Sequence, residues 1–293
     1  MAKKLLFFFF LIIFLGTIIF LLLNWVIPFL QPNTGQLAVN TQFQSSTVFL
    51  DNKKLGATPF YSKELKTGDH TVVVESEGTK WETKTTLSSG TFNTLDINIT
   101  TSTAFISGEN LFFRKGQKSL VVLSKPAGAK VFLDNKEKGS TPIKLEPPEG
   151  VTTLTLKKDG YLSRELNPNV VNGYRLTANV FLSVDPFGTT KKLDANSKIT
   201  LFSLHNSFVN LSKSYADWVE GVQFTQRQLG STNTRFDILL DPNGKTYILD
   251  QTQWKNKLST KAVANVGYLA TKPNDTLSEK ANEPWQKLKI QFN

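Results

Sequence analysis

The chain has 293 residues, 34 Lys/Arg against 24 Asp/Glu, a formal net charge of +10, no cysteine, two histidines and one methionine. The absence of cysteine excludes disulfides, thiolate chemistry and a lipid-modified cysteine anchor, so a domain outside the cytoplasm would rely on core burial alone. Basic residues occur in runs of no more than two, such as Lys53-Lys54, Lys157-Lys158 and Lys191-Lys192, which argues against the concentrated footprint of a nucleic-acid binder.

The first predicted element is a membrane-spanning helix. Leu5 to Leu23 is uncharged and almost wholly hydrocarbon, and about 20 such residues cross a bilayer core. Lys3 and Lys4 precede it and the next basic residue is Lys53, so the N-terminus is expected in the cytoplasm and the bulk of the chain outside. The run exceeds the roughly 7–15 apolar residues of a signal peptide, and no small-x-small cleavage site follows. Residues 1–33 are therefore expected to be a cytoplasmic stub and uncleaved anchor, and the chain a single-pass cell-membrane protein.

Next comes an internal repeat. Val-Phe-Leu-Asp-Asn-Lys occurs at Val48–Lys53 and again at Val131–Lys136, 83 residues on. Gly56-Ala57-Thr58-Pro59 returns as Gly139-Ser140-Thr141-Pro142 at the same offset, and Leu37 as Leu120. Such exact recurrence marks a duplicated unit. Each copy reads as short strands: Val131-Phe132-Leu133, Ile143-Lys144-Leu145 and Thr153-Leu154-Thr155-Leu156 alternate faces. Asp134-Asn135 and Lys158-Asp159-Gly160 supply turn chemistry. The first copy repeats the plan with Thr71-Val72-Val73-Val74. The pattern predicts two small antiparallel β-sandwich-like repeats, 34–115 including a linker around Gly108–Lys118, and 116–184.

The run Ser124-Lys125-Pro126-Ala127-Gly128-Ala129-Lys130-Val131-Phe132-Leu133-Asp134-Asn135-Lys136, then Gly139-Ser140-Thr141-Pro142 and Gly160-Tyr161, resembles the PEGA domain. Pro126-Ala127-Gly128-Ala129 stands at its Pro-Glu-Gly-Ala motif. In the first copy Phe43-Gln44-Ser45-Ser46 takes that place. The resemblance implies an all-β fold and an envelope or surface-layer setting, and no shared catalytic residues.

Residues 185–293 lose the repeat and are expected to form a small α+β domain of unknown type. Leu211–Leu229 carries Leu211, Tyr215, Trp218, Val219, Val222 and Leu229 mostly on one helical face, with Asn210 or Ser212 as start caps and Gly230 as end cap. Phe236–Leu240 and Thr246–Leu249 flank Asp241-Pro242-Asn243-Gly244-Lys245, a hairpin signal. Ile199–Phe202, Val266–Leu269 and Leu288–Phe292 read as strands, and Thr276–Asn282 as a short helix. The overall fold class is mainly β.

The catalytic inventory is thin. His70 and His205 are expected as surface or capping residues, because no Gly-x-Ser-x-Gly elbow accompanies them. Two distant histidines without cysteine argue against zinc. Asp241 reads as a turn residue rather than a calcium ligand, and Glu75 and Glu77 as solvated surface. No phosphate-binding loop is present, and no cofactor is expected. Exposed tryptophan stacks on sugar rings, which makes Trp254 and Trp285 the candidate ligand contacts; Trp218 reads as core. The expectation is a non-enzymatic envelope surface protein. Its repeats would act as spacer and adhesion scaffold, presenting the C-terminal domain to a cell-wall polysaccharide or another envelope protein. The alternative is an envelope hydrolase with its site in 185–293.

Overall fold

A computed structural model of the chain describes residues 2–26, 33–42, 44–76, 78–100, 102–195, 198–205, 214–229, 236–272 and 275–292. Helix α1 (Ala2–Leu21) runs into one π-helical turn, Leu22–Val26. Its Phe7–Asn24 window has a mean hydropathy of 2.7 and none of it is buried against the rest of the chain. The Thr17 hydroxyl donates to the Ile13 carbonyl and the Asn24 amide to that of Phe20, so these polar side chains are satisfied within the helix. By length and composition α1 meets the requirement of a membrane span, and a signal sequence meets it too.

The duplication is carried strand for strand. The first copy holds β1 (Thr34–Asn40), β2 (Thr47–Leu50), β3 (Lys53–Ala57), β4 (Phe60–Lys66), β5 (Gly68–Ser76), β6 (Thr79–Leu87) and β7 (Phe92–Asn98). After β8 (Ser107–Lys115), the second copy holds β9 (Ser119–Lys125), β10 (Lys130–Leu133), β11 (Lys136–Ser140), β12 (Ile143–Leu145), β13 (Gly150–Val151), β14 (Leu154–Lys157), β15 (Arg164–Leu166), β16 (Asn169–Val170) and β17 (Tyr174–Phe181). In each copy the Asp-Asn pair turns the hairpin with left-handed backbone at both residues: φ is 48° and 66° at Asp51 and Asn52, 48° and 64° at Asp134 and Asn135. Short side chains that bond their own backbone tolerate this region best. The Asp51 and Asp134 carboxylates accept from the Thr71 and Thr153 amides, both at 2.9 Å.

The Thr-Pro pair closes the other end. Thr58 and Thr141 are buried. Their hydroxyls accept from the Ser46 and Ala129 amides at 2.9 and 3.0 Å, and meet the Thr41 and Ser124 hydroxyls. The first copy thus makes the same lock although its entry turn departs from the motif; Phe43 lies outside the described residues. Thr141→Val should cost about 1–3 kcal/mol, because it strands a buried amide donor. Urea unfolding of wild type and variant measures it.

The expected linker 108–118 is mostly strand. β8 joins the copies in one seven-stranded sheet of order β12-β9-β17-β8-β7-β1-β4. It pairs antiparallel with β7 on one side and β17 on the other. Each copy also contains one parallel pair, β1 with β7 and β9 with β17. The two copies therefore flank β8 in mirrored order with β7 and β17 pointing the same way, which puts their second sheets (β3-β2-β5-β6 and β11-β10-β14-β15) on opposite faces. The side chains of β8 agree. Leu111 and Phe113 pack on the second copy's core, and Glu109 pairs with Arg164 of β15. Asn110 instead donates to the Lys84 carbonyl of β6, and Arg114 reaches Asp69. Gly108 lies against β7 so closely that a Cβ there would sit 2.2 Å from the Asp96 carbonyl oxygen.

Burial pushes the Glu109 carboxyl above its usual range, and the Arg164 charge opposes that shift.

The C-terminal domain has β18 (Thr189–Ala195), β19 (Ile199–His205), α2 (Tyr215–Leu229), β20 (Ile238–Leu240), β21 (Thr246–Ile248), α3 (Gln251–Thr260), β22 (Ala264–Leu269) and α4 (Glu279–Phe292). Its sheet order is β18-β19-β22-β20-β21, with β19, β22 and β20 parallel. The hairpin at Asp241 is present, and α2 buries Trp218 and Val222. Residues 210–213 and 230, which include the suggested caps, lie outside the described residues. Leu288–Phe292 is not a strand but the end of α4. Its residues alternate in sequence, yet Ala281, Trp285, Leu288 and Phe292 share a buried helical face while Ile290 is 73% exposed. The Ser278 hydroxyl accepts from the Ala281 amide at the start of this helix. Helix α3 is capped by the Asp250 carboxylate, which accepts from the Thr252 and Gln253 amides.

Phe105 fastens this domain to the repeats together with Ala104, Tyr161 and Val184, which pack in the same apolar cluster. Phe105, in the 3-10 turn Thr103–Phe105 between β7 and β8, is 2% exposed and clusters with Phe187, Trp218 and Val222. A Cβ on Gly221 of α2 would lie 2.4 Å from the Phe105 ring. The Val184 amide donates to the Ala104 carbonyl at 3.0 Å.

Candidate functional site

The strand directions define two ends of the β block. β1 begins at the end where Lys66, Phe92, Lys115 and Tyr174 also lie, as the pairings of Thr34 with Lys66, Gln36 with Phe92 and Tyr174 with Lys115 require. Phe105 and Val184 follow the far ends of β7 and β17. The C-terminal domain therefore docks at the end opposite to the one where the chain enters from α1. Eight residue steps along β8 separate the ends by roughly 26 Å.

A cleft of about 370 Å³ opens between the two repeats at the end that carries the C-terminal domain, lined among others by Trp81, Ala104, Lys125, Pro126, Tyr161 and Phe181. Strand β6 supplies Trp81, whose ring stands edge-on to Phe181 of β17 with centroids 4.7 Å apart. Lys125 Nζ lies 5.8 Å from the Phe181 ring centroid. Tyr161 follows the left-handed Gly160 (φ 79°). The segment is zipped in place by the bonds Leu162 N–H to Ser183 O, Asp185 N–H to Gly160 O and Leu182 N–H to Lys125 O, 2.8–2.9 Å long. Burial pushes the Tyr161 phenol above its usual value, so it stays a neutral hydroxyl at physiological pH. An aromatic wall, an ammonium and a phenol suit a ligand with a flat apolar face and polar or anionic edges. Among the described residues the lining holds no His, Asp or Glu, the groups most used for proton transfer.

The two tryptophans singled out in the sequence are elsewhere. Trp254 is 5% exposed and Trp285 2%, both in the core of the C-terminal domain. Trp254 packs on Phe292 with centroids 5.2 Å apart, and Trp285 Nε1 donates to Asp194 at 2.9 Å. Neither offers a ring face to a ligand. Polar flanks in the sequence are helix neighbours that point to solvent while the rings point inward. Trp81, on the strand β6, is the tryptophan that borders the cleft. Its signal was indirect: Pro126 and Tyr161, the motif residues, line the cleft it shares.

His70 bridges Asp51 at 2.7 Å and the Lys66 carbonyl at 2.8 Å, which holds the Asp-Asn hairpin. His205 is buried rather than on the surface, at the end of β19, and burial holds its pKa below the usual value. The Asp241 carboxylate accepts from the Asn243 and Lys245 amides and the Tyr247 hydroxyl, so it is spent on the turn. Glu75 pairs with Lys80; Glu77 lies outside the described residues. Among the described residues no group of three His, Cys, Asp or Glu could hold a metal.

No curated protein and no solved structure matches the chain. The PEGA domain model matches residues 34–102 and 117–179, the two copies that flank β8, and this domain suggests a surface-associated protein. Residues 34–102 and 117–179 are two tandem PEGA domains.

Proposed function

We propose that the chain is a non-enzymatic surface protein of a cell envelope. In this reading α1 is an uncleaved anchor with Lys3 and Lys4 on the cytoplasmic side, and the two PEGA domains form one rigid pedestal. The C-terminal domain is carried on its far end. The observation that carries the reading is the placement of chain entry and Phe105 docking at opposite ends of a shared sheet. The ligand is an envelope polymer or protein, taken by the cleft around Trp81, Lys125 and Tyr161 rather than by Trp254 or Trp285.

Two experiments test this. Protease added to intact spheroplasts should remove the C-terminal domain, as read by a C-terminal blot; full protection reverses the topology, and a shortened soluble form means cleavage after α1. Binding of the chain to purified wall fragments should fall at least tenfold in Trp81→Ala and persist in part at high salt, because ring contact is not screened whereas Lys125 and the diffuse positive charge are, within about 8 Å. Loss with salt alone contradicts a recognition site. Turnover of the fragments would favour the hydrolase reading instead.

A further inference from the structure

The end of the β block where the chain enters carries an apolar surface that the proposed function leaves unused. Outside α1, the exposed large apolar side chains include Tyr61, Phe92 and Val151. Phe92 begins β7 at this end, and its ring stands edge-on to Tyr61 with centroids 5.8 Å apart. Val151 is 72% exposed on the β13–β16 ribbon, opposite Asn169. Between Phe92 and Asn169 lies a cavity of about 360 Å³, its walls mainly Phe92, Leu111, Phe113, Pro168, Tyr174 and Leu176. Large apolar side chains around an open apolar cavity are a marked surface, not scattered exposure.

Basic side chains frame the same end. Lys66, Lys115 and Arg175 are exposed, Lys118 is half-buried, and none of the four makes an ion pair among the described residues. Asp69 at this end is paired with Arg114 and Asp51 with His70, while the exposed Glu149 near Val151 bonds Asn172, so the four cations outnumber the one exposed carboxylate among these groups that has no cationic partner.

The distance to the membrane is bounded by the chain. Eight residue steps separate Val26, the last described residue after α1, from Thr34 at the start of β1. Even fully extended these reach at most about 29 Å. The tether therefore holds this end at high local concentration near the bilayer, where a weak surface suffices for contact. Apolar and aromatic side chains with a basic fringe match the interface of an anionic bilayer.

We infer that the chain-entry end of the first PEGA domain and the adjoining β13–β16 ribbon rest on the lipid headgroup surface of the membrane that α1 enters, with Phe92 and Val151 dipping into the interface. The inference depends on α1 being an anchor. It makes the pedestal stand on the membrane rather than swing from it.

The native chain lacks cysteine, so single labels are clean. The full-length protein carrying Val151→Cys, or Ala57→Cys at the far end, is labelled with bimane and reconstituted in phosphatidylcholine vesicles with or without phosphatidylglycerol. A nitroxide on the lipid headgroup is the quencher. Co-flotation with the vesicles reports the anchor separately. The expected result is co-flotation of both proteins, with bimane at 151 quenched several-fold more than at 57. Adding Phe92→Ser and Lys118→Glu should reduce the quenching at 151, and phosphatidylglycerol should raise it. Co-flotation with equal quenching at both positions overturns the inference and leaves the anchor standing. A spectral shift at 151 without lipid quenching assigns the face to a protein contact and likewise overturns it. Failure to float overturns the anchor, and the inference falls with it.

Discussion

Phe105→Ala should cost about 3–5 kcal/mol, the usual range for emptying a fully buried aromatic site, and the cost should fall on the joint between domains. Phe105 belongs by sequence to the connection between the two repeats and by packing to the cluster shared with the C-terminal domain. Removing it leaves a hole beside Gly221 and Trp218 while both β cores stay intact. In urea the wild type should unfold with the C-terminal domain coupled to the repeats. In Phe105→Ala the C-terminal domain should melt first, seen as an early change in the fluorescence of its three tryptophans. Gly221→Ala attacks the same contact from the other side. A Cβ 2.4 Å from the ring forces the ring or helix to move, at about 1–3 kcal/mol. In the double variant the new methyl enters the space the ring has left, so the two costs should add to less than their sum, as expected for contacting residues. Additive costs would mean that the two residues do not share this contact.

The second large effect is expected at Trp285. If it were a ligand contact, Trp285→Ala would reduce binding and leave stability alone. Its ring is buried and its indole N–H donates to Asp194, so truncation should cost about 3–5 kcal/mol and abolish the cooperative melting of residues 185–293. Asp194 offers a gentler probe. Hydrogen bonds from Lys289, then Trp285, hold its carboxyl below the ordinary 3.8. A carboxyl depressed on folding contributes stability that is fully present above 3.8 and is lost as pH falls through the lower folded value. Asp194→Asn should therefore destabilise the protein near neutral pH. The gap to wild type should close in strong acid. Thermal melts of both proteins across pH measure it.

Much of the repeat architecture is legible in the sequence, because the two copies check each other. Val48 and Val131, the Asp-Asn turns and the Thr-Pro locks recur at one offset, and strands β2 and β10 fall where that offset puts them. β8 has no copy and so no such check. Its pattern is also misleading: Glu109, Leu111 and Phe113 face one core, Asn110, Phe112 and Arg114 the other. A strand half-buried on both faces shows no polar–apolar alternation to read. The end of α4 failed for the opposite reason. Leu288, Ile290 and Phe292 alternate as a strand would, and only the earlier positions Ala281 and Trp285 reveal the helical period. The cleft was beyond reach of pattern reading, since Trp81, Lys125 and Tyr161 come from three segments that only the shared sheet brings together. Trp254 and Trp285 are buried, and polar neighbours in sequence say little about which way a helical ring points.

The central claim is that two PEGA domains and the C-terminal domain form one rigid body with chain entry at one end and the docked domain at the other. It is tested most directly by a spin-label distance across that body. In the cysteine-free chain, Lys115→Cys at the entry end and Lys255→Cys on α3, both exposed, place one label on each side of the Phe105 joint. Double electron–electron resonance should give a single narrow distance distribution, which broadens when Phe105→Ala is added. A broad or multimodal distribution in the otherwise wild-type chain would contradict the claim and return the repeats to the role of a jointed spacer.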